Sequence, residues 1–144
     1  MRDVTQPDLA LLAFAREAKP NAYAPYSDFR VGAAVYASSG DIFQGVNVEN
    51  AAYGSSLCAE RGALMAAVAA GCTDIDAVAL AGDSETPTVP CGACRQALAE
   101  FNPQMRVIMG GRTDEVLVTT LDSLLPDAFV RGYLDQDEGA GAAE

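Results

Sequence analysis

The sequence predicts an α/β protein in which five strands form one mixed sheet with helices on its faces. Two observations support this fold class. Strand-like and helix-like segments alternate in the order helix, hairpin, helix, strand, helix, hairpin, and the 144 residues have the length of one domain. We place a single domain at residues 1–134 and a disordered tail at 135–144, because the tail is acidic and rich in Gly and Ala.

The N-terminal part is predicted to contain a helix followed by a hairpin. Residues 1–7 have the character of a frayed leader, and Asp8 is expected to cap a helix that ends before Pro20. Apolar residues at alternate positions predict a strand over 29–37. A turn rich in Ser and Gly then joins this strand to a returning strand over 42–48.

The rest of the chain is predicted to supply three strands and two further helices. Residues 57–70 are rich in the best helix formers, and Gly71 is a plausible C-terminal cap. This helix is apolar nearly all round, which predicts burial on most of its sides. The other predicted elements are a buried strand at 75–81, a helix at 91–101, strands at 105–109 and 115–118, and a helical turn at 120–125. A two-residue turn at Gly110-Gly111 is too short for a crossover, so the last two strands are expected to be antiparallel.

The composition excludes several kinds of chemistry. The chain has no His, which rules out a Ser-His-Asp triad, a Cys-His nucleophile and a His-ligated metal. The net charge of −11 repels phosphate backbones and argues against a nucleic-acid partner. We see no signal-peptide pattern and no apolar run long enough to cross a bilayer, so the expectation is a cytoplasmic protein without a membrane partner. In that reducing compartment, four Cys favour metal binding or catalysis over disulfides.

Three of the Cys stand at the starts of two predicted helices. Cys91 and Cys94 form a C-x-x-C pair, and Cys58 begins the preceding helix. Three thiolates predict a catalytic zinc site with water as the fourth ligand, and positive helix N-termini favour the thiolate forms. A redox-active C-x-x-C and a structural zinc with a fourth Cys remain as alternatives. The candidate for that fourth ligand, Cys72, lies about 20 Å from Cys58 along the helix, so it is expected to be a small core residue.

Glu60 lies two residues after Cys58, where its carboxylate can touch a water on the zinc. A site that lacks one protein ligand and has a carboxylate beside it points to catalysis. We therefore expect Glu60 to be the catalytic residue. Zinc with three thiolates carries a net charge of −1 and is a poor Lewis acid, so Arg61 is expected to tune the charge of the site.

Several motifs together resemble one enzyme family. Cys58-Ala-Glu60, followed by Pro90-Cys91-Gly-Ala-Cys94, resembles the zinc nucleoside and nucleobase deaminases with Cys in the His position. Tyr-Ala-Pro-Tyr-Ser-Asp-Phe-Arg-Val-Gly-Ala-Ala at 23–34 and Gly-Val-Asn-Val-Glu-Asn-Ala-Ala-Tyr at 45–53 resemble cytidine deaminase. The similarity runs from about residue 8 to 133 and is to the small, homotetrameric, three-cysteine class.

The resemblance implies a fold, a reaction and a set of residue roles. The fold is the three-layer cytidine deaminase fold. The reaction is deamination of cytidine and 2′-deoxycytidine to the uridines in pyrimidine salvage, with one zinc ion per chain. Glu60 would pass a proton from the zinc water to N3 of the pyrimidine and then to the departing amine. The implied substrate contacts are Phe29 against the base or sugar, Asn47 and Glu49 on the 3′ side of the ribose, and the backbone of Ala59 at the base.

The resemblance also implies a shared site. Leu124-Leu-Pro-Asp-Ala-Phe129 resembles the Leu-Leu-Pro-x-x-Phe segment of the family, whose Phe packs on the substrate of a neighbouring subunit. Phe129 would then complete a pocket across an interface, most simply in a homotetramer with D2 symmetry. The apolar helix that begins at Leu57 supports this, because one small sheet covers only one of its sides.

Three other functions remain open at this point. A deaminase of another free aminopyrimidine compound, such as the blasticidin S type, shares the zinc motifs, but the Asn-Val-Glu-Asn signature argues against it. A polynucleotide deaminase needs a basic channel, which the charge disfavours. A non-enzymatic zinc or redox module would not require Glu60 or an open ligand position.

Overall fold

The structure is a computed structural model that describes residues 1–134, in which five strands form one sheet. The strands are β1 (Val31–Ala37), β2 (Ile42–Val46), β3 (Ile75–Gly82), β4 (Arg106–Gly110) and β5 (Val116–Thr120). The helices are α1 (Gln6–Ala18), α2 (Ala59–Ala69), α3 (Gly92–Ala99) and α4 (Leu121–Leu124), with 3-10 turns at Lys19–Asn21 and Tyr53–Ser55. The predicted disordered tail at 135–144 lies outside the described residues. Within the described part of the chain, no helix is long and apolar enough to cross a membrane.

The sheet is mixed, as predicted, with the strand order β2-β1-β3-β4-β5. β1 is antiparallel to both β2 and β3, β3 is parallel to β4, and β4 is antiparallel to β5. The antiparallel final pair is therefore confirmed. The two-residue turn is wrong, because Gly110 pairs with Val116 inside the ladder and the connection runs over 111–115. That longer loop is held from outside, since Arg16 of α1 donates hydrogen bonds to the carbonyl oxygens of Gly111 and Thr113.

The first helix begins earlier than predicted, at a different cap. Thr5 is the N-cap: its hydroxyl accepts from the backbone N–H of Asp8, and the Asp8 carboxylate accepts from the Thr5 N–H at 2.8 Å. Asp8 is buried and binds Arg106 of β4 at 2.7 Å, which fixes α1 against the sheet. Burial raises the pKa of Asp8, but the hydrogen bonds from Arg106 and Thr5 outweigh it and leave that pKa lowered. The expected frayed leader is also wrong, because Arg2 donates from its backbone N–H to Val118 of β5.

Helices cover both faces of the sheet, which confirms the predicted layers. α1 packs on one face, and the core there contains Leu11, Leu12, Ala15, Ala34, Ala79, Ala81, Ile108 and Val118. α2 and α3 pack on the other face, above the side chains that alternate with these along the strands, such as Ala33, Val35, Val78, Leu80 and Val107. Gly71 follows α2 with a φ of 86°, as expected of a C-terminal cap. α2 is buried or partly buried on most of its sides, as predicted, and one stripe that contains Met65 and Val68 faces solvent.

A direct backbone contact fixes α2 on the sheet. A Cβ atom placed on Gly45 of β2 would overlap the backbone of Ala63 and lie 2.5 Å from the carbonyl oxygen of Ala59. The helix therefore rests on the strand with no side chain between them. Gly62, on the helix side of this contact, has more room: its Cβ would lie 3.4 Å from the Val46 carbonyl oxygen, an ordinary contact.

We expect Gly45→Ala to lower the free energy of unfolding by about 3 kcal/mol, because its methyl group can be accommodated only by moving α2 off the sheet. The matched control is Gly62→Ala, whose methyl group fits and which gains up to about 1 kcal/mol of helix propensity. Thermal unfolding should place the midpoint of Gly45→Ala well below that of wild type, and that of Gly62→Ala level with it or above. Equal midpoints for the two variants would contradict the contact.

Candidate active site

Three thiols meet where α2 and α3 begin. Cys58 is the N-cap of α2, Cys91 is the N-cap of α3, and Cys94 lies in the first turn of α3. Their sulfur atoms all lie within 4.8 Å of one another, and the Sγ atoms of Cys58 and Cys91 are 3.8 Å apart. Neither N-cap thiol is used to cap its helix, so both remain directed at the cluster. The predicted convergence of these three residues is confirmed.

The cluster fits a zinc ion. Thiolates bind zinc at about 2.3 Å in a tetrahedron, which puts two ligand sulfurs about 3.8 Å apart. The Cys58–Cys91 separation has this value. The fourth cysteine, Cys72, lies outside the cluster, packs partly buried against the core and approaches the Ser39 hydroxyl at 3.8 Å. The three thiols therefore supply a donor set that zinc prefers, with one tetrahedral position left for another ligand.

Arg61 lies against the thiols, one turn into α2. Its Nη2 donates to the Cys58 Sγ at 3.6 Å. Its Nε is buried and, within residues 1–134, is the one buried side-chain nitrogen or oxygen atom without a hydrogen-bond partner. The thiol of Cys94, followed by the Arg61 guanidinium, lowers the pKa of Cys58 to about 5. The neighbouring Cys58 and burial together raise the pKa of Cys94. The cluster thus favours negative charge at Cys58 and places a permanent cation beside it.

Glu60 is the buried acid of the site. It is 4% exposed and lies in the first turn of α2. In the sequence it falls between Cys58 and Arg61, whose side chains are in contact. Burial raises the pKa of Glu60, and the negative charge of Cys58 adds to that rise. A buried carboxyl with a raised pKa holds and releases a proton closer to neutral pH than an exposed one does.

Asn47 and Glu49 lie together but are already engaged. The Asn47 side chain accepts from the Val31 N–H at 2.8 Å and donates to the Phe29 carbonyl at 2.9 Å. The Glu49 carboxylate accepts from the backbone N–H groups of Tyr26 and Ser27 at 3.0 and 3.1 Å, and from the Ser27 hydroxyl. Hydrogen bonds from Ser27 and then Tyr26 lower the pKa of Glu49. Both side chains therefore build the loop before β1, a role that their residue types did not reveal.

This loop is joined to the thiol cluster through a short bridge. Val48 and Leu57 exchange two backbone hydrogen bonds of 2.9 Å, so the chain that carries Asn47 and Glu49 pairs with the residue just before Cys58. The same bridge explains why α2 begins at Ala59 rather than at Leu57.

The remaining predicted residues occupy different environments. Ala59 is buried, and its carbonyl oxygen faces Gly45. Phe29 is 37% exposed and its ring lies beside Gly82, where the absence of a side chain makes room for it. Phe129 is 61% exposed, and its ring stacks on Tyr133 with the centroids 5.8 Å apart. The structure therefore does not bring Phe129 into the core of its own chain.

Comparisons with known proteins agree with this geometry. Residues 5–110 match the family model for the cytidine and deoxycytidylate deaminase zinc-binding region. The cytidine deaminase of Sporosarcina psychrophila is 46% identical over 120 residues, which cover 83% of this chain and 88% of the relative. That of Halalkalibacterium halodurans is 43% identical over 120 residues, covering 83% and 91%. The crystal structure of cytidine deaminase from Burkholderia pseudomallei superposes with a TM-score of 0.82 at 46% identity, over 88% of this chain and all of that one. The Mycobacterium tuberculosis enzyme gives 0.74 at 36% identity, over 88% and 98%.

We expect the purified protein to contain one zinc ion per chain and Cys94→Ser to lose it, because two sulfurs and a hydroxyl bind zinc far more weakly than three thiolates. Elemental analysis after extensive dialysis measures this directly. Cys72→Ser is the control and should keep its zinc. Full zinc in Cys94→Ser, or loss of zinc in Cys72→Ser, would show that the cluster is not the metal site.

Proposed function

The chain belongs to the cytidine deaminase family, and from this premise we propose that it hydrolyses cytidine and 2′-deoxycytidine to uridine and 2′-deoxyuridine with release of ammonia. The observation that carries the proposal is the juxtaposition of a three-thiol cluster with the buried carboxyl of Glu60. A metal-binding cluster alone would serve a structural role equally well. A buried acid beside it is what hydrolysis of an aminopyrimidine requires.

The residues divide the work between metal binding and proton transfer. Cys58, Cys91 and Cys94 would hold the zinc ion, which when bound lowers the pKa of water and so supplies hydroxide near neutral pH. Glu60 would accept a proton from the attacking water on a carboxylate oxygen and deliver it to N3 of the pyrimidine, which would make C4 more electrophilic. After addition at C4, the hydroxyl proton passes through the same carboxylate to the amino nitrogen, which leaves as ammonia.

Arg61 is proposed to adjust the charge of the site. Three thiolates and a divalent ion sum to −1, which opposes the formation of hydroxide. The Arg61 guanidinium donates to the Cys58 sulfur and draws negative charge towards itself. The N-termini of α2 and α3 act in the same direction, because the ligand residues lie at their positive ends.

The proposed sugar contacts suit a nucleoside better than a nucleotide. A groove of about 320 Å³ lies beside Glu49 and is lined by Tyr26, Ser27, Glu49, Asn50, Tyr53 and Ser56. None of these lining residues is basic, and Glu49 adds a negative charge that would repel a phosphate. We propose that Asn47 and Glu49, held in place by the loop before β1, bind the 3′ side of the ribose. Phe29 is proposed to pack against the base or sugar, and the backbone of Ala59 to read the base.

The active form is proposed to be a homotetramer with shared active sites. Large apolar side chains remain exposed on α2 and on the chain just before it, notably Met65, Val68, Val48 and Tyr53. Such surface favours a second copy of the chain as its cover. The exposed ring of Phe129 is proposed to enter the site of a neighbouring subunit. The four free thiols within the described residues support a cytoplasmic location, and the net charge of −11 supports the absence of a nucleic-acid partner.

We expect Glu60→Gln to lower kcat for cytidine by about 10²–10⁴-fold while zinc content and folding are kept, because the amide cannot accept and return a proton. The loss of the cytidine absorbance band measures turnover, and elemental analysis measures zinc. Glu100→Gln, which changes an exposed acid at the end of α3, should match wild type. An active Glu60→Gln enzyme would remove Glu60 from the mechanism.

For the assembly, light scattering should give a mass near four times 14.9 kDa. Phe129→Ala should raise the KM for cytidine about tenfold with zinc unchanged, because the substrate loses an apolar cover. Phe14→Ala, at a partly exposed phenylalanine of α1, is the control and should leave KM unchanged. A fully active monomer would refute the shared site.

A further inference from the structure

The segment that carries Phe129 is tied to the helix that carries two of the three thiols. We propose that Arg95 and Gln96, which follow Cys94 directly in α3, are positioning residues that hold Phe129 ready for the active site of a neighbouring subunit. This inference rests on the proposed function. It adds a link between helix α3 of one subunit, which carries metal-binding thiols, and the active-site pocket that Phe129 of the same subunit completes in its neighbour.

Two side chains of α3 make the link. The Gln96 Nε2 donates to the carbonyl oxygen of Phe129 itself at 2.7 Å. The Arg95 guanidinium donates through Nη1 to the Leu124 carbonyl at 2.8 Å and through Nε to the Pro90 carbonyl at 2.8 Å. Since Pro90 directly precedes Cys91, one guanidinium connects the start of the metal helix with the start of the Phe129 segment.

The Phe129 segment needs such support. After α4 ends at Leu124, the chain forms no regular helix or strand as far as Val130, and Asp127 has a φ of 53°, where few residues other than Gly are found. Leu124, Leu125, Ala128 and Val130 pack against the core, but the Phe129 ring does not. The Phe129 ring is largely exposed, and within residues 1–134 Tyr133 is the one aromatic ring that it stacks on. The direction of the Phe129 ring therefore depends on the main chain that Gln96 holds.

This arrangement has a consequence for substrate binding. If the backbone of Phe129 were free to move, substrate binding would have to order it, and the affinity of the neighbouring site for its substrate would be lower. The hydrogen bond from Gln96 restrains this backbone before the substrate binds. The hydrogen bond should therefore affect KM while leaving the chemical step and the metal unchanged.

The first experiment is a mutant cycle. Gln96→Ala should raise the KM for cytidine about three- to tenfold, the effect of losing one neutral hydrogen bond, with kcat and zinc content kept. Gln96→Ala combined with Phe129→Ala should have the KM of Phe129→Ala alone, because Gln96 acts through Phe129. Gln104→Ala is the matched control, since it removes an exposed glutamine side chain outside this segment. An unchanged KM in Gln96→Ala, or additive effects in the double variant, would overturn the proposal.

A second experiment tests which subunit's site is served. Mixed oligomers of Gln96→Ala and Glu60→Gln chains contain sites that combine an intact Glu60 with an intact Phe129 segment from the other chain. Such sites should recover the wild-type KM. If the raised KM persists in the mixture, the segment serves its own subunit and the proposal fails.

A third measurement separates this inference from the proposed function. Wild-type turnover of cytidine decides the proposed function before any variant is compared. Amide hydrogen exchange in peptides that cover 124–134 does not require turnover, and it should be faster in Gln96→Ala than in wild type or Gln104→Ala. Equal exchange in the three proteins would overturn the positioning role, whatever the substrate.

Discussion

The position of the active site depends on the backbone contact between α2 and β2 at Gly45. Because no side chain separates the two elements there, the contact fixes the distance of α2 from the sheet and the orientation of its axis. Its first turn presents Cys58 to the thiols of α3, buries Glu60 and turns Arg61 towards the cluster. A larger residue at this point would not change any ligand, yet it would separate the ligands from one another. A glycine that provides no metal ligand is thus required for the geometry of the site.

Once the helices are in place, the charges of the site must balance. Three sulfurs within 4.8 Å of one another cannot all be negative without nearby positive charge. The two helix N-termini, the Arg61 guanidinium and a divalent ion are the available sources. Arg61 is a suitable partner because it remains charged at every relevant pH, and its bond to Cys58 raises its own pKa further. The pKa values of Glu60 and Glu49 shift in opposite directions, because burial and then the charge of Cys58 raise that of Glu60, whereas hydrogen bonds from Ser27 and Tyr26 lower that of the exposed Glu49.

Much of this arrangement could be predicted from the sequence, for identifiable reasons. Local patterns, such as the apolar run of β3 and the C-x-x-C at a helix start, fix elements and ligands without reference to the rest of the chain. The wrong predictions concern partners that compete for one residue. The sequence predicts Asp8 as the helix cap, but Thr5 is the cap, and the Asp8 carboxylate binds both the Thr5 N–H and the distant Arg106. The sequence predicts a two-residue turn at Gly110-Gly111, but pairing with Val116 keeps Gly110 in the strand. The loop contacts of Glu49 and the carbonyl contacts of Gln96 link residues far apart in sequence, so no local pattern could reveal them.

The absence of histidine connects the sequence with the chemistry. Imidazole is a common zinc ligand in proteins, so a chain without it must bind the metal through other donors. Here three thiols are those donors, at the cost of a more negative site. In the proposed mechanism Glu60 carries the proton, and because an exposed carboxylate would be too weak a base, the burial of Glu60 in the first turn of α2 would serve the reaction as well as the packing. The negative charge that the thiols bring raises the pKa of Glu60 further. The thiols that bind the metal therefore also help to set the pKa of the buried acid beside them.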